Sequence, residues 1–340
     1  MRELLLKLCN RQDLTREEAR RAFDQIMSGQ ASEAQIGGLL VGLASKGTTV
    51  EELVGAATVM REKATAVETG CDPESEVILD TCGTGGDVRG TFNISTAAAI
   101  IAASAGVKVV KHGNRSVSGN SGSADVLEAL GVKLDVQSDQ LRACLQQANI
   151  CFAFARQHHP AMQFVSKTRT SLGIPTIFNV LGPLTNPGGA RHQLLGVFAA
   201  ELTDRLTAVL RELGSRRAWV VHAMDGLDEL STLGPTLISE LSNGHIKTWT
   251  LDPQSLGLPY ARLSDLQARS VNESAEALQS ILRGEAGPKR DIALLNAAAA
   301  LVVAERCPDL AGGLEMAAAC VDQGRAKATL ENLIRCSNSN

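Results

Sequence analysis

The sequence has few aromatic residues and no excess of positive charge. Aromatic side chains make up 3% of its 340 residues, and the formal net charge is -4 at pH 7. Proteins that bind single-stranded nucleic acid stack its bases on aromatic side chains and attract its phosphates with basic surfaces. The composition therefore argues against a nucleic-acid partner, although a local basic pocket is compatible with it.

Long apolar runs and paired cysteine motifs are also missing. No stretch approaches the length of a membrane-spanning helix, and the opening residues MRELLLKLCNRQDL hold too short an apolar run for a signal peptide. The eight cysteines are scattered, without C-x-x-C or zinc spacing, which is typical of free thiols in a reducing compartment. We therefore expect a cytoplasmic protein with no membrane partner.

The first part of the chain, residues 1 to about 66, predicts helices only. Three capping boxes predict helix starts at Thr15, Ser32 and Thr48, each followed by apolar residues at helical spacing. From about residue 70, short apolar runs ending in loops alternate with helical segments, which predicts a parallel α/β sheet. The predicted strands are 77–81, 107–113, 194–199 and 216–225.

Two glycine-rich loops follow successive predicted strands. The first, GTGGD at 83–87, leads into a predicted helix that opens with Asn93, Ser95 and Thr96. Backbone N–H groups of such loops and the positive ends of helices bind anions. The spacing is that of neither a P-loop nor a dinucleotide-binding fingerprint. A tight turn is the alternative, but capping a helix needs only one of these polar residues, which favours a phosphate site.

The second loop, KHGNRSVSGNSGSAD at 111–125, carries two cations, Lys111 and Arg115. Its hydroxyls belong to Ser116, Ser118, Ser121 and Ser123. A flexible, solvated loop is the alternative. Because ligands of open α/β sheets bind at the carboxyl ends of the strands, the two loops are expected to face each other there. Together they predict a ligand with two phosphate groups.

An acidic pair, Asp228 and Glu229, follows the last predicted strand. Such a pair is usually a solvated turn. At the end of a strand in this sheet it also suits Mg²⁺, which takes one or two carboxylates together with substrate phosphates, and Ser95 is a further oxygen donor.

The segment 157–190 is dense in Pro, Gly and polar residues, which predicts a crossing between domains with a pocket beside it. Arg169 lies in this segment near Lys167, and an arginine there suits a carboxylate substrate through a bidentate contact. A surface arginine is the alternative. The neighbouring His158 and His159 are expected to be structural, because no third metal ligand is spaced to join them.

Six motifs resemble those of the anthranilate phosphoribosyltransferase family. They are GTGGD (83–87), TFNIST (91–96), KHGNRSVSGNSGSADVLEALG (111–131), HPAM (159–162), IFNVLGPLTNP (177–187) and GLDE (226–229). The resemblance implies transfer of the phosphoribosyl group of phosphoribosyl pyrophosphate (PRPP) to the amine of anthranilate, with release of pyrophosphate, in tryptophan biosynthesis. It also implies Mg²⁺ as the cofactor, with two ions per site.

The fold implied by the resemblance is α/β: a large α/β domain with a mainly parallel central sheet plus a small all-helical domain. The helical domain is expected at 1–68 plus about 157–184, and the α/β domain at 70–156 and 185–336. A homodimer through the helical domain is expected.

The resemblance also implies the site residues, position by position. No discrete acid or base is expected, since an aromatic amine is already a neutral nucleophile. Anthranilate is expected to contact Gly83, Asn114 and Arg169, with His112 lining its route, and the metal ions are expected at Ser95, Asp228 and Glu229. The expected PRPP contacts are Gly83, Gly86, Asp87, Thr91, Asn93, Ser95, Thr96, Lys111, His112, Gly113, Asn114, Arg115, Ser116, Val117, Ser118, Gly119 and Ser123.

Two alternatives stay open at the level of the sequence. A pyrimidine nucleoside phosphorylase shares the architecture and a glycine phosphate loop, but does not need the KHGNR segment or Arg169. A non-enzymatic, nucleic-acid-binding relative of the fold is the other alternative. Such a protein should be basic, whereas this chain is acidic and keeps GTGGD and the acidic pair.

Overall fold

The structure is a computed structural model that describes residues 1–72, 75–86, 89–116 and 121–339. Asp87, Val117, Ser118 and Gly119, which belong to the expected PRPP site, lie outside the described residues. Within the described ranges, no helix is both long enough and apolar enough to cross a membrane.

The N-terminal part consists of helices, as predicted. They are α1 (Arg2–Cys9), α2 (Arg16–Met27), α3 (Glu33–Lys46) and α4 (Val50–Glu62). The capping boxes at Thr15 and Ser32 are confirmed, because each side chain accepts a hydrogen bond from the backbone three residues on and the reciprocal bond is also present.

The third capping box is shifted by one residue, so the expected start at Thr48 is wrong. Thr49 caps α4 and is paired with Glu52. The Glu52 side chain is fully buried, where it accepts from the Leu14 N–H at 2.9 Å and from Lys46 Nζ at 2.9 Å. These contacts with other parts of the chain fix Glu52 at the third helical position, and the local pattern could not reveal them.

A seven-stranded sheet follows, with strand order β3-β2-β1-β4-β5-β6-β7. The first five strands in this order, β3, β2, β1, β4 and β5, run parallel. The strands β6 and β7 add an antiparallel hairpin, so the predicted mainly parallel sheet is confirmed. The strands are β1 (Ile78–Gly83), β2 (Lys108–Gly113), β3 (Ile150–Phe154), β4 (His192–Gly196), β5 (Arg217–Ala223), β6 (Thr236–Ser242) and β7 (His245–Leu251).

Helices cover both faces of this sheet. In chain order they are α5 (Ile94–Ser104), α6 (Ser123–Ala129), α7 (Ser138–Ala148), α8 (Ala155–His158), α9 (Gln163–Leu172), α10 (Phe178–Leu181), α11 (Leu202–Glu212), α12 (Leu263–Leu266), α13 (Val271–Leu282), α14 (Pro288–Val303), α15 (Leu310–Asp322) and α16 (Arg325–Asn338). The crossing segment 157–190 therefore contains short helices as well as irregular backbone.

Two buried apolar clusters follow from the alternation of side chains along the strands. Leu194 of β4 belongs to a cluster that includes α5, α14 and α16, whereas the next residue, Leu195, belongs to a second cluster. That second cluster continues through α11 into α1–α4, α9 and α10. The helical part is thus packed against one face of the sheet, and the carboxyl ends of β1, β2 and β4 lie at one edge.

Candidate active site

The glycine loop after β1 is held by the acidic segment after β5. The Gly85 N–H donates to Asp228 Oδ2 at 2.9 Å. A Cβ at Gly196, the last residue of β4, would lie 1.5 Å from the Asp228 carbonyl oxygen, and one at Gly83 would lie 2.7 Å from Asp228 Oδ2. Glycine at both strand ends therefore lets the acidic segment cross the sheet edge. Gly196 is a site residue that the sequence analysis missed, since its need depends on a chain segment 32 residues away.

Glu229, Ser95 and Lys111 come together beside this crossing. The Ser95 N–H, in the first turn of α5, donates to Glu229 Oε1 at 3.1 Å. Lys111 Nζ donates to Ser95 Oγ at 3.3 Å and to the Thr81 carbonyl at 2.6 Å. The three expected metal-site residues and the expected phosphate-binding lysine thus lie at one edge of the sheet.

The oxygen donors at this edge fit Mg²⁺. Asp228, Glu229 and Ser95 offer hard carboxylate and hydroxyl oxygens, and within the described ranges no cluster of three or more His, Cys, Asp or Glu side chains forms a metal cage. Mg²⁺ is commonly held by one or two carboxylates, with substrate phosphates and water completing its octahedron. An incomplete set of protein ligands is therefore the arrangement expected for a metal that binds together with a phosphate substrate.

Lys111 is buried beside a second buried charge, Asp80 of β1. Lys111 is 2% exposed and Asp80 is completely buried. Burial raises the pKa of Asp80 and lowers the pKa of Lys111, and the attraction between the two charges offsets part of this effect for each. Asp80 was not among the expected site residues. A charged residue between Leu79 and Thr81 in a buried strand was the signal that could have found it.

The polar residues around the start of α5 differ in their hydrogen-bond partners. Asn93 Oδ1 accepts from Ser121 Oγ at 2.9 Å and from Ser274 Oγ at 2.7 Å, which ties the first loop to the second. Thr91 forms an isolated bridge with Gln267. The Thr96 hydroxyl is buried without a hydrogen-bond partner in the part of the chain that the structure describes.

The second loop is organised by Asp125, which the sequence analysis did not single out. Asp125 accepts from the backbone N–H groups of Ser116 and Gly122, both at 3.0 Å. Arg115 pairs with Asp125 at 2.9 Å and with Glu128 at 2.7 Å. The hydrogen bonds with Glu128 and Asp125 raise the pKa of Arg115 above the ordinary value of an arginine. The guanidinium of Arg115 thus faces α6, which gives it a structural contact besides its expected role at the phosphates.

The start of the second loop is closely packed. A Cβ on Gly113, at the end of β2, would lie 2.2 Å from Ser123 Oγ, so these two expected site residues are in contact. Asn114 Oδ1 accepts from the Arg115 N–H at 2.9 Å. In the first loop, Gly86 lies near the half-exposed ring of Phe198.

Three buried histidines lie in the crossing segment and at the end of β2. The rings of His112 and His159 are 5.1 Å apart, and His158 Nδ1 contacts the Thr65 carbonyl at 2.8 Å. Burial lowers the pKa of His112 to about 3 and that of His159 to about 4. The expected structural role of His158 and His159 agrees with this environment, in which the imidazoles are neutral.

Arg169 projects from α9 and lies over the Phe178 ring, with its guanidinium carbon 5.2 Å from the ring centre. Partial burial lowers its pKa. No hydrogen bond or ion pair of the guanidinium occurs within the described ranges, in contrast to Lys167, which pairs with Glu33 at 2.7 Å. Arg169 is therefore a half-buried cation whose planar donor fork is available to a carboxylate.

The fold and this site define a class of protein. Ligands of open α/β sheets bind at the carboxyl ends of the strands. Here that edge carries a glycine loop, a buried lysine and two carboxylates. Such a set of groups is suited to a phosphorylated substrate bound together with a hard divalent cation.

Comparison with known proteins identifies the family. A family model described as the α/β domain of a glycosyl transferase family matches residues 75–327, and the helical bundle domain of the same family matches residues 2–64. An anthranilate phosphoribosyltransferase from Methylobacterium nodulans is 49% identical over 335 residues, which is 98% of each chain. This chain belongs to the anthranilate phosphoribosyltransferase family.

Solved structures agree with this assignment. The crystal structure of the anthranilate phosphoribosyltransferase from Thermus thermophilus is 37% identical, with a TM-score of 0.91 over 98% of this chain and 99% of that one. The enzyme from Saccharomyces cerevisiae in complex with PRPP and Mg is 30% identical, with a TM-score of 0.87 over 96% and 94% of the two chains.

Proposed function

We propose that this protein transfers the phosphoribosyl group of PRPP to the amine of anthranilate, giving N-(5-phosphoribosyl)anthranilate and pyrophosphate in L-tryptophan biosynthesis. The observation that carries the proposal is the convergence of Gly85, Ser95, Lys111, Asp228 and Glu229 at one sheet edge. The full-length relatives of the same name support it. Neither alternative, a nucleoside phosphorylase or a nucleic-acid-binding protein, has comparable support.

The chemistry separates positive charge on the ribose from negative charge on the leaving pyrophosphate. In this proposal Lys111 stabilises the leaving group, and the small glycine residues of the loop let the phosphates approach the backbone, which is electrostatic catalysis without a covalent intermediate. When bound, Mg²⁺ supplies further charge neutralisation on the phosphates, and two ions at Ser95, Asp228 and Glu229 are part of this proposal.

The second substrate needs orientation more than activation. An aromatic amine is uncharged at neutral pH, so no strong base is required and positioning supplies most of the rate. Arg169, half-buried over Phe178, binds the anthranilate carboxylate, and Gly83 and Asn114 complete that subsite. The remaining PRPP contacts are those expected from the sequence, including the residues of both loops that lie outside the described ranges.

The direct test uses the fluorescence of anthranilate. In the presence of enzyme, PRPP and Mg²⁺ together, the anthranilate signal is expected to fall, and omission of any one component should preserve it. Thymidine with phosphate serves as the competing substrate pair. Cleavage of thymidine with no consumption of anthranilate would replace the proposal with a nucleoside phosphorylase.

The domain division expected from the sequence is also proposed, with 1–68 plus about 157–184 as the helical domain. The helical-bundle match at 2–64 and the shared apolar cluster of α1–α4, α9 and α10 support it. All eight cysteines are free thiols, which supports a cytoplasmic location.

A homodimer through the helical domain is part of the proposal. Of the large apolar side chains that are exposed within the described ranges, Leu6 of α1, Val41 of α3 and Phe164 of α9 all belong to this domain. The helices are neighbours, since a Cβ on Gly38 of α3 would lie 3.4 Å from Leu5 of α1, and Lys167 of α9 pairs with Glu33 of α3. Exposed apolar side chains on neighbouring helices support a subunit interface there.

Sedimentation of variants tests the dimer. Val41→Asp is expected to shift the protein toward the monomer, because a charge would be buried without a partner. Tyr260→Lys, at a side chain of similar exposure in the α/β domain whose hydroxyl contacts Asp252, also adds a charge and is the control that should leave the mass unchanged. A monomeric wild-type protein, or an unchanged dimer with Asp at position 41, would contradict this interface.

A further inference from the structure

The strands β1 and β2 separate at their carboxyl ends. Their backbones pair only at Ile78 with Lys108 and at Leu79 with Val109. Beyond this point β1 stays paired with β4 up to Gly83, and β2 stays paired with β3 up to Gly113. The sheet therefore contains a split, and the split opens between the two loops that are expected to bind PRPP.

Side chains replace the missing backbone ladder inside this split. The His112 N–H donates to Asp80 Oδ1 at 3.2 Å, Lys111 Nζ donates to the Thr81 carbonyl at 2.6 Å, and Asn186 Nδ2 donates to the Val110 carbonyl at 2.8 Å. The side chains of Asp80, Lys111 and Asn186 are all buried. Buried backbone groups need partners, so these three side chains make the split possible.

Asp80 is the centre of this arrangement. Besides the His112 N–H, its carboxylate accepts from Cys82 Sγ at 3.2 Å and from the Asn186 side chain, and it attracts the charge of Lys111. Lys111 supplies positive charge that acts on this carboxylate, and the Lys111 ammonium group donates to the carbonyl of Thr81, the residue next to Asp80. A buried lysine without a counter-charge is costly, and it either loses its proton or moves toward solvent. Asp80 accepts the His112 N–H and Lys111 Nζ reaches the Thr81 carbonyl, so two contacts at neighbouring residues bridge the split where the Lys111 ammonium group lies, 3.3 Å from Ser95 Oγ.

We propose that Asp80 is a positioning residue of the PRPP site: its buried carboxylate bridges the split between β1 and β2 and supplies the negative charge that keeps the Lys111 ammonium group there, where the group meets the phosphates. Asp80 does not reach the substrate itself and acts through Lys111. This inference rests on the proposed function only in naming PRPP as the phosphate ligand. The ligand class, a pyrophosphate with Mg²⁺, follows from the lysine, hydroxyl and carboxylate groups at that edge of the sheet.

Asp80→Asn is the informative variant, because an Asn side chain keeps an oxygen for the His112 N–H, removes the charge, and changes only the other acceptor into an N–H donor. We expect the Kd for PRPP with Mg²⁺, measured by calorimetry without anthranilate, to rise about 10-fold or more. In turnover, the KM for PRPP should rise more than the KM for anthranilate. Cys82→Ala is the matched control: it removes another contact of the same carboxylate, leaves the negative charge of Asp80 in place, and should leave the Kd unchanged.

A double-mutant cycle with Lys111→Met shows whether Asp80 acts through Lys111. The Kd of Lys111→Met with Asp80→Asn is expected to equal that of Lys111→Met alone, and this comparison also decides the matter if Asp80→Asn by itself fails to fold. Additive losses, or a folded Asp80→Asn variant that binds PRPP normally, would overturn the proposal. Failure of the wild-type protein to consume anthranilate would overturn the proposed function alone, because the binding measurement needs no anthranilate.

Discussion

At the scale of single residues, the site depends on which side chains have partners within the protein. Lys167 pairs with Glu33 at 2.7 Å, and Arg115 pairs with Asp125 at 2.9 Å besides its proposed contact with PRPP. Arg169 lies over an aromatic ring and keeps its hydrogen-bonding fork available within the described ranges. The three cations, Lys167, Arg115 and Arg169, therefore have different roles.

Arg169→Ala tests the carboxylate partner. Loss of a charge-assisted hydrogen bond of about 1.5–3 kcal/mol is expected to lower kcat/KM for anthranilate about 10- to 150-fold, while the KM for PRPP changes little. Arg169→Lys should recover only part of the loss, since an ammonium group lacks the planar fork. Lys167→Ala, two residues away and exposed, is the control with unchanged kinetics. Equal losses for both substrates would reject this role of Arg169.

Glu229→Gln tests the metal site. Gln keeps the oxygen that accepts the Ser95 N–H but loses the charge, so the Mg²⁺ concentration at half-maximal activity is expected to rise at least about 10-fold. Asp228→Asn should behave similarly, because Asn also keeps an oxygen for the Gly85 N–H and loses the charge. Steady-state rates over a Mg²⁺ titration provide the measurement. Glu315→Gln, at an exposed position on α15, should give the wild-type curve, and identical curves for all variants would remove the acidic pair from the site.

At the scale of secondary-structure elements, helix starts are set by side chains that reach across the fold. The helix α4 begins after Thr49 because Glu52 is held by Leu14 and Lys46, which lie before α2 and at the end of α3. The neighbouring pair Thr48 and Glu51 has the same local pattern. Glu51 instead bonds the guanidinium of Arg16 at the surface, at 2.9 Å.

Thr49→Ala and Thr48→Ala distinguish the two capping boxes. Thr49→Ala is expected to lower the free energy of unfolding by about 1 kcal/mol, because the Thr49 hydroxyl accepts the Glu52 N–H. Thr48→Ala should change it by less than about 0.5 kcal/mol. Urea denaturation of both variants provides the comparison. A larger loss for Thr48→Ala would restore the start of the helix predicted from the sequence.

At the scale of the whole molecule, buried imidazoles join the helical part to the sheet. His159 lies in the crossing segment and His112 at the end of β2, with their rings 5.1 Å apart. Both pKa values are depressed by burial, to about 4 and about 3. The contact between the two parts of the molecule therefore depends on both rings staying neutral.

This burial predicts a loss of stability in acid. Below pH 6.5 the unfolded chain binds protons at these histidines and the folded protein does not. Their contribution to the free energy of unfolding is therefore fully present above pH 6.5 and is lost as the pH decreases toward 4. The expected slope is about 1.4 kcal/mol per pH unit for each histidine. Urea denaturation at pH 7.5, 6 and 5 should show a shallower slope for His159→Gln than for wild type. The exposed His245→Gln should match wild type, and an unchanged slope in His159→Gln would contradict this assignment.

The sequence by itself determined the α/β class, two of the three helix caps, four strands of the sheet and the loops that form the site. These features depend on local patterns, since apolar periodicity, capping residues and glycine loops act within a few residues of each other. The expected function came from the family motifs, which are also short, local stretches of the chain.

Only the tertiary structure decided how distant residues meet. The roles of Gly196, Asp80 and Asp125 depend on segments that approach them from elsewhere, such as the crossing of Asp228 over the end of β4. Strands β3, β6 and β7 and the short helices of the crossing segment were not predicted. Their conformation depends on packing against neighbours in the fold, and tertiary contacts of this kind override weak local preferences.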